Sequence, residues 1–262
     1  MSAAKYKVVI TGASGGIGRE IVKLLAPKSL YIILVGLYEA ELTALKDELN
    51  LSNAYIVHGN INDAETRNRV TDLAQSLDGV SLVINNAGIN DFNLYENQTE
   101  ETIQKIVEIN LLAPMLLSRS LLPLLKKERK AEIINTGSIL GYIGYPGNVA
   151  YCVSKFGLRG FSQSLKRELG DTNVNVRYFA PRTTQTKINH DNVVSMNKAL
   201  GNAVDSPEEV ARHFMKFLTR SKGEKKLGFK ESFFVFMNNL FPEIPGKAIT
   251  KQLPIIKKYL PK

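Results

Sequence analysis

Tyr151 and Lys155, in the middle of the chain, have the residue types and the spacing for proton transfer. Residues four apart on a helix lie on one face, with Cβ atoms about 5–6 Å apart. A free tyrosine has a pKa of about 10 and exchanges protons poorly at neutral pH, but a neighbouring ammonium favours the phenolate. The pair could therefore give and take a proton, with Lys155 lowering the pKa of Tyr151.

A second pattern that suits chemistry lies near the N-terminus, in Thr11-Gly12-Ala13-Ser14-Gly15-Gly16-Ile17-Gly18. Its glycines let the chain turn tightly and approach a pyrophosphate without a Cβ clash. The helix expected after the loop presents free N–H groups and the positive end of its dipole to phosphates. A strand before the loop and a helix after it are the context that such a motif requires, so the loop predicts a dinucleotide site.

The elements that must position these residues follow from hydrophobic patterning. Short apolar runs alternate with helix-length amphipathic stretches, which predicts an α/β fold. We expect a Rossmann-like doubly wound parallel sheet of six to seven strands, flanked by helices. Six strands are expected at Tyr6–Ile10, Leu30–Val35, Ala54–His58, Ser81–Asn85, Ala131–Asn135 and Val174–Phe179, and helices at Gly16–Ala26 and Glu100–Leu125.

Length and composition limit the class of protein. The 262 residues are 44% hydrophobic and 23% charged, as in ordinary globular proteins. No run reaches the roughly 18 uninterrupted apolar residues of a spanning helix, and residues 5–7 lead into a strand rather than a signal peptide. The single cysteine, Cys152, cannot form an intramolecular disulfide, so we expect a buried thiol and a cytoplasmic protein. The three histidines lack metal-ligand spacing, so no metal site is predicted.

The motifs together resemble the short-chain dehydrogenase/reductase superfamily over residues 11–155. The family order contains the glycine loop, Asn85-Asn86-Ala87-Gly88 after the fourth strand, Asn110, Ser138 and the Tyr-x-x-x-Lys element at Tyr151. The resemblance implies an oxidoreductase that transfers a hydride between a nicotinamide cofactor and a carbonyl/alcohol substrate, hydrophobic or acyl-linked. Two alternatives stay open. One is a catalytically silent dinucleotide-binding regulatory or scaffold protein attached to a membrane, and the other is a member that catalyses epimerisation or dehydration.

The resemblance implies a catalytic tetrad of Asn110, Ser138, Tyr151 and Lys155. Tyr151 would exchange a proton with the substrate oxygen, and Ser138 would hydrogen-bond that oxygen. Lys155 would lower the pKa of Tyr151 and hold the nicotinamide ribose. Asn110 would hold a water that extends the proton relay, whereas Asn85 would brace the sheet.

The same resemblance implies a set of cofactor contacts at the ends of the strands. They are Gly12, Ser14, Gly16, Ile17, Gly18, Leu37, Asn60, Ile61, Asn86, Ala87, Gly88, Tyr151, Lys155, Pro181, Thr184 and Thr186. The second strand ends without the Asp that binds the ribose 2′-hydroxyl in NAD-preferring members, and Glu39 and Glu41 come later, at the start of the next helix. We therefore expect NADP, with its phosphate near Ser14, and NAD as the alternative.

The chain after the sixth strand departs from the family pattern, and the family's common ending, a last strand followed by Asp-Gly-Gly, is missing. Arg182 replaces the usual glycine after Pro181, and we expect it to face solvent or an anionic group of the substrate. Residues 183–201 resemble the mobile substrate lid of the superfamily. Residues 1–222 are predicted to form the dinucleotide-binding and catalytic domain. Family members associate through the helices that correspond to Glu100–Leu125 and Tyr151–Leu169, which implies a homodimer or homotetramer.

The net charge of +9 is concentrated near the C-terminus, where eleven basic and three acidic residues follow from Lys216 onward. We predict that residues 223–262 form a basic helical extension packed on the same domain. Phe233, Phe236 and Leu240 have helical spacing there, and Pro254 is expected to kink or break the last helix.

Three interpretations of this extension stay open. It could pack on the body or a partner subunit and cover the substrate pocket, attach to an anionic membrane surface, or bind an acidic acyl carrier protein. No nucleic-acid-reading motif accompanies the charge, so nucleic acid is not expected.

Overall fold

Seven parallel strands form one sheet in the order β3-β2-β1-β4-β5-β6-β7. The computed structural model describes residues 6–186, 188–189, 191–220 and 223–261. The strands are β1 Tyr6–Thr11, β2 Ser29–Gly36, β3 Ala54–His58, β4 Leu82–Asn85, β5 Ala131–Thr136, β6 Val174–Ala180 and β7 Glu224–Lys226. The predicted doubly wound fold and the six predicted strands are confirmed.

Ten α-helices lie within the described residues. They are α1 Gly16–Leu25, α2 Glu39–Glu48, α3 Ala64–Ser76, α4 Glu100–Val107, α5 Ala113–Leu125, α6 Val149–Glu168, α7 Asp191–Ala199, α8 Pro207–Leu218, α9 Phe229–Leu240 and α10 Glu243–Lys258. A π-helical turn, Glu108–Leu112, joins α4 to α5. Such turns are rare inside helices and are frequent at functional sites.

The helices cover the sheet in two layers, because successive strand residues point to opposite faces. Val8 and Ile10 of β1 belong to a core that includes residues of α1, α2 and α8. Val9, between them, packs in a second core with residues of α3 and α5. The near-continuous apolar strands thus follow from burial on both faces.

The sheet order reverses between β1 and β4, and in such sheets ligands bind at the carboxyl ends of the strands on either side of that point. The two strand ends are tied together by Thr11. Its Oγ1 accepts hydrogen bonds from the backbone N–H groups of Asn86 and Ala87, at 3.0 and 3.1 Å. The crevice between the predicted glycine loop and the Asn-Asn-Ala-Gly segment is therefore held at a fixed width.

The C-terminal extension differs from the sequence expectation in two respects. Residues 224–226 form β7, a strand that apolar patterning could not detect because its sequence is Glu-Lys-Lys. Pro254 does not break the last helix, because α10 continues as one helix through this residue, and the alternative of a kink stays a prediction. Ile249 and Ile256 are buried on either side of the proline, and their packing holds the helix together despite the missing backbone hydrogen bond.

Within the described residues, one helical stretch is long and apolar enough to cross a membrane, Glu100–Leu125, with a mean hydropathy of 1.3 over 18 residues. Polar residues and two prolines, Pro114 and Pro123, interrupt the run, and 39% of the 18-residue window is buried inside the protein. Its buried face, which includes Leu117 and Leu121, belongs to the core beneath the sheet. The length and apolar composition of this stretch therefore do not distinguish a core helix from a membrane-spanning helix.

Candidate active site

A cavity of about 660 Å³ extends from the glycine loop to the C-terminal helices. The residues predicted for the site that line it are Gly12, Gly16, Ile17, Asn86, Ala87, Gly88, Ser138, Tyr151, Lys155, Pro181 and Thr184. They come from the ends of β1, β4, β5 and β6 and from the first turns of α6. The fold thus brings residues far apart in the sequence to one crevice.

The glycine loop forms the wall of the cavity at the β1 end. Gly12 has a φ of +63°, and a Cβ there would lie 2.9 Å from Ala87 Cα, so a side chain is excluded by both conformation and space. α1 begins at Gly16 after Gly15, and none of the described side chains caps it. Its first N–H groups are therefore available to an anion at the cavity wall. This arrangement fits the pyrophosphate of a dinucleotide.

Asn85 and Asn135 each precede a residue that lines the cavity, and they belong to a buried network of polar side chains. We call this network, together with Lys155 and Tyr178, the cavity floor. Asn85 Nδ2 donates to Asn135 Oδ1 at 2.8 Å and to Ser118 Oγ at 3.1 Å, and Asn135 Nδ2 donates to Ser162 Oγ at 2.8 Å. The prediction that Asn85 braces the sheet is confirmed. The network links β4 and β5 to the two helices that pack against them.

Tyr151 lies in the first turn of α6, next to Ser138 at the end of β5. Burial raises the pKa of the Tyr151 phenol to about 12, although its hydrogen bond with Ser138 acts in the opposite direction. The Lys155 ammonium lies 5.5 Å from the centre of the Tyr151 ring, and the lowering of the Tyr151 pKa by Lys155 stays a prediction. With a pKa of about 12, the phenol is protonated at neutral pH and suited to donate a proton.

Lys155 lies one turn further along α6, with its side chain buried. Nζ donates a hydrogen bond to the backbone carbonyl of Thr136 at 3.1 Å. Burial lowers the pKa of the ammonium to about 8, because a charge is costly in this environment. The amine can therefore lose its proton within the range of ordinary assays, well before the phenol does.

Asn110 lies in the π-helical turn, fully buried. Its Nδ2 donates to the Ile89 carbonyl at 2.9 Å and to Ser154 Oγ at 3.1 Å, and its Oδ1 accepts from the Ile89 N–H at 2.8 Å. The side chain thus fixes the loop after β4 against α6. The predicted water relay through Asn110 stays a prediction.

Tyr178, on β6, is a residue that sequence reasoning missed. Its hydroxyl accepts a hydrogen bond from the Ser138 N–H at 3.3 Å and donates one to the Lys155 carbonyl at 3.2 Å. A Cβ at Gly137 would lie 1.9 Å from its ring, so that glycine makes room for it. One buried hydroxyl therefore joins the backbones that carry Ser138 and Lys155. Tyr178 occurs in no catalytic motif, and only the fold reveals this contact.

Arg182 lines the cavity and is paired with carboxylates rather than facing solvent freely, whereas its contact with an anionic group of the substrate stays a prediction. Its guanidinium forms a 2.6 Å ion pair with Asp205 and a 3.3 Å ion pair with Glu231 on α9. Two carboxylates already neutralise the cation, and they tie the loop after β6 to the C-terminal extension.

Comparison with known proteins identifies the family. A family model described as short chain dehydrogenase matches residues 6–196. The chain belongs to the short-chain dehydrogenase family. The chain is accordingly an NAD(P)-dependent oxidoreductase, and its glycine loop and Tyr-x-x-x-Lys element line the same cavity.

Proteins similar in sequence include a nodulation protein and a 3-oxoacyl-[acyl-carrier-protein] reductase. The chain is 34% identical over 176 residues to nodulation protein G of Rhizobium sp. (strain N33), which covers 67% of this chain and 71% of that protein. It is 32% identical over 209 residues to the 3-oxoacyl-[acyl-carrier-protein] reductase FabG of Vibrio cholerae serotype O1, with coverage of 78% and 85%.

A solved structure supports the fold. A short chain dehydrogenase from Burkholderia cenocepacia J2315 in complex with NADP superposes with a TM-score of 0.81 at 19% identity, covering 95% of this chain and 99% of that one. At this identity the similarity establishes the architecture alone.

Six residues predicted to contact the cofactor of this short-chain dehydrogenase do not line the main cavity: Ser14, Gly18, Leu37, Asn60, Ile61 and Thr186. Gly18 and Ile61 are buried, whereas Leu37 and Asn60 are exposed beyond the end of the cavity. Thr186 contacts the glycine loop, since a Cβ on Gly16 would lie 2.8 Å from its methyl group. The roles of these residues stay predictions.

Glu41 corrects the expectation that no carboxylate lies within reach of the loop. Its Oε2 accepts a hydrogen bond from Ser14 Oγ at 2.8 Å. From the sequence, Glu41 is expected beyond reach of the glycine loop because it follows β2 by several residues. In the structure, the first turn of α2 lies next to that loop. A negative charge therefore lies beside the predicted phosphate contact.

The other end of the cavity is mostly apolar and comes from parts of the chain without motifs. Its lining includes Ile139, Leu140, Ile143, Val193, Met196, Phe234 and Ile249, with Asn90 and Asn148 among them. Asn90 Nδ2 donates to Asn148 Oδ1 at 2.8 Å. Val193 and Met196 of α7, in the segment predicted as a lid, line this end of the cavity, and the role of a lid stays a prediction. Among the described residues, no group of three or more His, Cys, Asp or Glu could hold a metal ion.

Proposed function

We propose that this short-chain dehydrogenase is an NADP-dependent reductase of an apolar carbonyl compound. The observation that carries the proposal is the protonated Tyr151, hydrogen-bonded with Ser138 in a cavity whose opposite wall is the glycine loop. A carbonyl placed there meets a proton donor and a second hydroxyl at once. The intact tetrad favours this over a catalytically silent dinucleotide-binding protein.

The residues of the chain would divide the work as follows. The N-terminus of α1 and the glycine loop would bind the pyrophosphate, and Lys155, Pro181 and Thr184 would border the nicotinamide end. When bound, the cofactor supplies the hydride. Tyr151 then donates its phenolic proton to the carbonyl oxygen, while Ser138 holds that oxygen in line. The Lys155 ammonium, which is charged below its pKa of about 8, stabilises the phenolate left on Tyr151.

Some observations favour NADP as the cofactor, and others favour NAD. The end of β2 offers no Asp for a ribose 2′-hydroxyl, and Ser14 could hydrogen-bond a 2′-phosphate. The similar Burkholderia cenocepacia structure holds NADP, whereas a dehydrogenase from Burkholderia phymatum, superposed at a TM-score of 0.82 and 17% identity, holds NAD. Glu41 acts against NADP, so its carboxylate must turn away from Ser14 for the phosphate to bind.

The apolar end of the cavity suits a hydrophobic or acyl-linked substrate. Aliphatic and aromatic side chains from α7, α9 and α10 border it. Polar side chains of the same helices, such as Asn197, Glu231 and Gln252, also line it and could orient the polar group of such a substrate. Relatives named as 3-oxoacyl-[acyl-carrier-protein] reductases agree with this substrate class. An acidic acyl carrier protein is one partner that would suit the basic extension.

We also expect a homodimer or homotetramer in the cytoplasm. Apolar side chains are exposed on the helices expected to associate, among them Leu112, Met115, Val149, Val153 and Phe156. Two copies could bury this surface against each other. The single cysteine is buried and free, as a reducing compartment allows.

The reaction is tested with Tyr151→Phe, followed by nicotinamide absorbance over a panel of apolar ketones and 3-oxoacyl thioesters. We expect turnover to fall by about 10²-fold or more, since general acid catalysis contributes that much, while NADPH binding persists. Tyr145→Phe, which removes a phenol elsewhere in the cavity wall, is the matched control. Undiminished turnover in Tyr151→Phe would refute the assigned proton donor, and the absence of turnover in the wild type would favour the silent alternative.

A further inference from the structure

α9 carries an apolar stripe that faces outward. Phe229, Phe233, Phe236 and Leu240 are spaced by four, three and four residues, so they share one face of the helix. Phe229 is 88% exposed and the other three are more than half exposed. Val235, on the other side of the helix, is the residue of α9 that is buried in the core. We call this stripe, with Phe241 and Ile244 that continue it, the α9 face.

The surroundings of the α9 face are basic. Between residues 223 and 261 there are seven lysines and three glutamates. Glu224 pairs with Arg159 at 3.5 Å and Glu231 with Arg182 at 3.3 Å, so both carboxylates are engaged by arginines of the body. The lysines of α9 and α10, such as Lys230, Lys247 and Lys251, are exposed. An exposed apolar face beside lysines is typical of helices that lie in the membrane interface.

The α9 face also borders the mouth of the cavity. Phe229 and Lys230 line the cavity, and Phe229 is at the same time the most exposed of the large apolar residues described. Phe234 and Ile249, from the inner sides of α9 and α10, continue the lining inward. A molecule leaving the surface on which the α9 face rests would therefore enter the apolar end of the cavity directly.

We propose that the α9 face docks on an anionic membrane surface, with the cavity mouth turned towards the lipid. The apolar side chains enter the interface, and the lysines bind acidic headgroups. Charge favours this occupant over a second copy of the chain, because two such faces carry the same positive excess and repel. Docking does not depend on the reaction, whereas the entry of a lipid-soluble carbonyl compound by this route rests on the proposed function.

The test uses the full-length protein, because removal of the extension would also remove β7 from the sheet. Wild type and Phe233→Ser/Phe236→Ser are sedimented with phosphatidylcholine vesicles, with and without phosphatidylglycerol. Neither phenylalanine lines the cavity. The matched control is Tyr95→Ser/Leu30→Ser, where Tyr95 is as exposed as Phe233, at 57%.

We expect wild type and control to bind the anionic vesicles more tightly than the neutral ones. The double phenylalanine variant should lose about tenfold in affinity or more, since each aromatic ring buried in lipid contributes that order of effect. Its thermal stability and NADPH binding should match wild type. These last readouts, made without turnover, separate a failure of docking from a failure of the proposed reaction.

Three results would overturn the proposal. One is equal recovery of wild type and Phe233→Ser/Phe236→Ser on anionic vesicles. Another is equal binding of the wild type to neutral and anionic vesicles. The third is a loss of oligomers, or of acyl carrier protein binding, in that variant without any vesicle binding by the wild type, which would assign the α9 face to a protein partner.

Discussion

The cavity floor and the C-terminal extension are built by opposite rules. In the floor, buried polar side chains hydrogen-bond to one another, as in the Asn85–Asn135–Ser162 chain. In the extension, apolar side chains are exposed on the α9 face. A buried polar network keeps side chains in fixed positions, whereas an exposed apolar face is typical of a surface that binds another molecule or a membrane. The comparison assigns the chemistry to the floor and the association to the extension.

Replacing the buried cation of the floor should have the largest effect. Lys155→Met removes the ammonium beside Tyr151, and we expect turnover to fall by about 10²-fold or more. Stability should rise by on the order of 2 kcal/mol at neutral pH, because burial lowers the pKa of Lys155 and the fold bears the cost of the charge. Turnover assays and thermal melts measure both.

The pH dependence of the free energy of unfolding also tests the cost of burying the Lys155 charge. Between pH about 8 and 10.5 the unfolded chain binds a proton at Lys155 that the folded protein does not, so wild-type stability should rise across this interval. Lys155→Met should lack that rise, whereas Lys166→Met, an exposed lysine on the same helix, should keep it. A less stable Lys155→Met protein would show that the floor gains from its cation.

Tyr178→Phe tests whether the floor positions the catalytic residues as one unit. Losing the hydroxyl that joins Ser138 and Lys155 should lower kcat by about tenfold, on the order of one hydrogen bond, and leave the KM for NADPH nearly unchanged. Tyr142→Phe is the matched control, since that hydroxyl bonds Glu224 at 2.8 Å, away from Tyr151. If both variants lose stability alike and keep kcat, Tyr178 is merely structural.

The smallest effect is expected at Glu41, which lies beside the glycine loop and outside the cavity floor. Glu41→Gln removes the negative charge beside Ser14 and should increase the preference for NADPH over NADH by about fivefold, in the range of an exposed charge pair. Glu39→Gln, whose carboxylate faces His58 at 3.6 Å, should change the preference less. Competition titrations of the two cofactors measure the ratio. A lower preference for NADPH would show that Glu41 helps to bind it.

Sequence reasoning succeeded where function depends on local pattern. Strands β1–β6 are apolar runs that patterning detects. The four-residue spacing of Tyr151 and Lys155 predicts that both lie on one face of a helix. It failed where distant segments meet. Glu41 reaches Ser14 across a turn, and Tyr178 reaches Ser138 across the sheet. The α9 stripe was visible as a pattern, but only packing decides which side of an amphipathic helix is covered.

The short strand β7 has a consequence for the edge of the sheet. An open strand can template pairing with another chain and so begin aggregation, and natural proteins prevent this with brevity and charge. β7 has three residues, two of them lysines, and Glu224 is held by Tyr142 and Gln163. The hydrogen-bonding groups at this edge are thus few and flanked by charges, so β7 offers a poor template for an added strand.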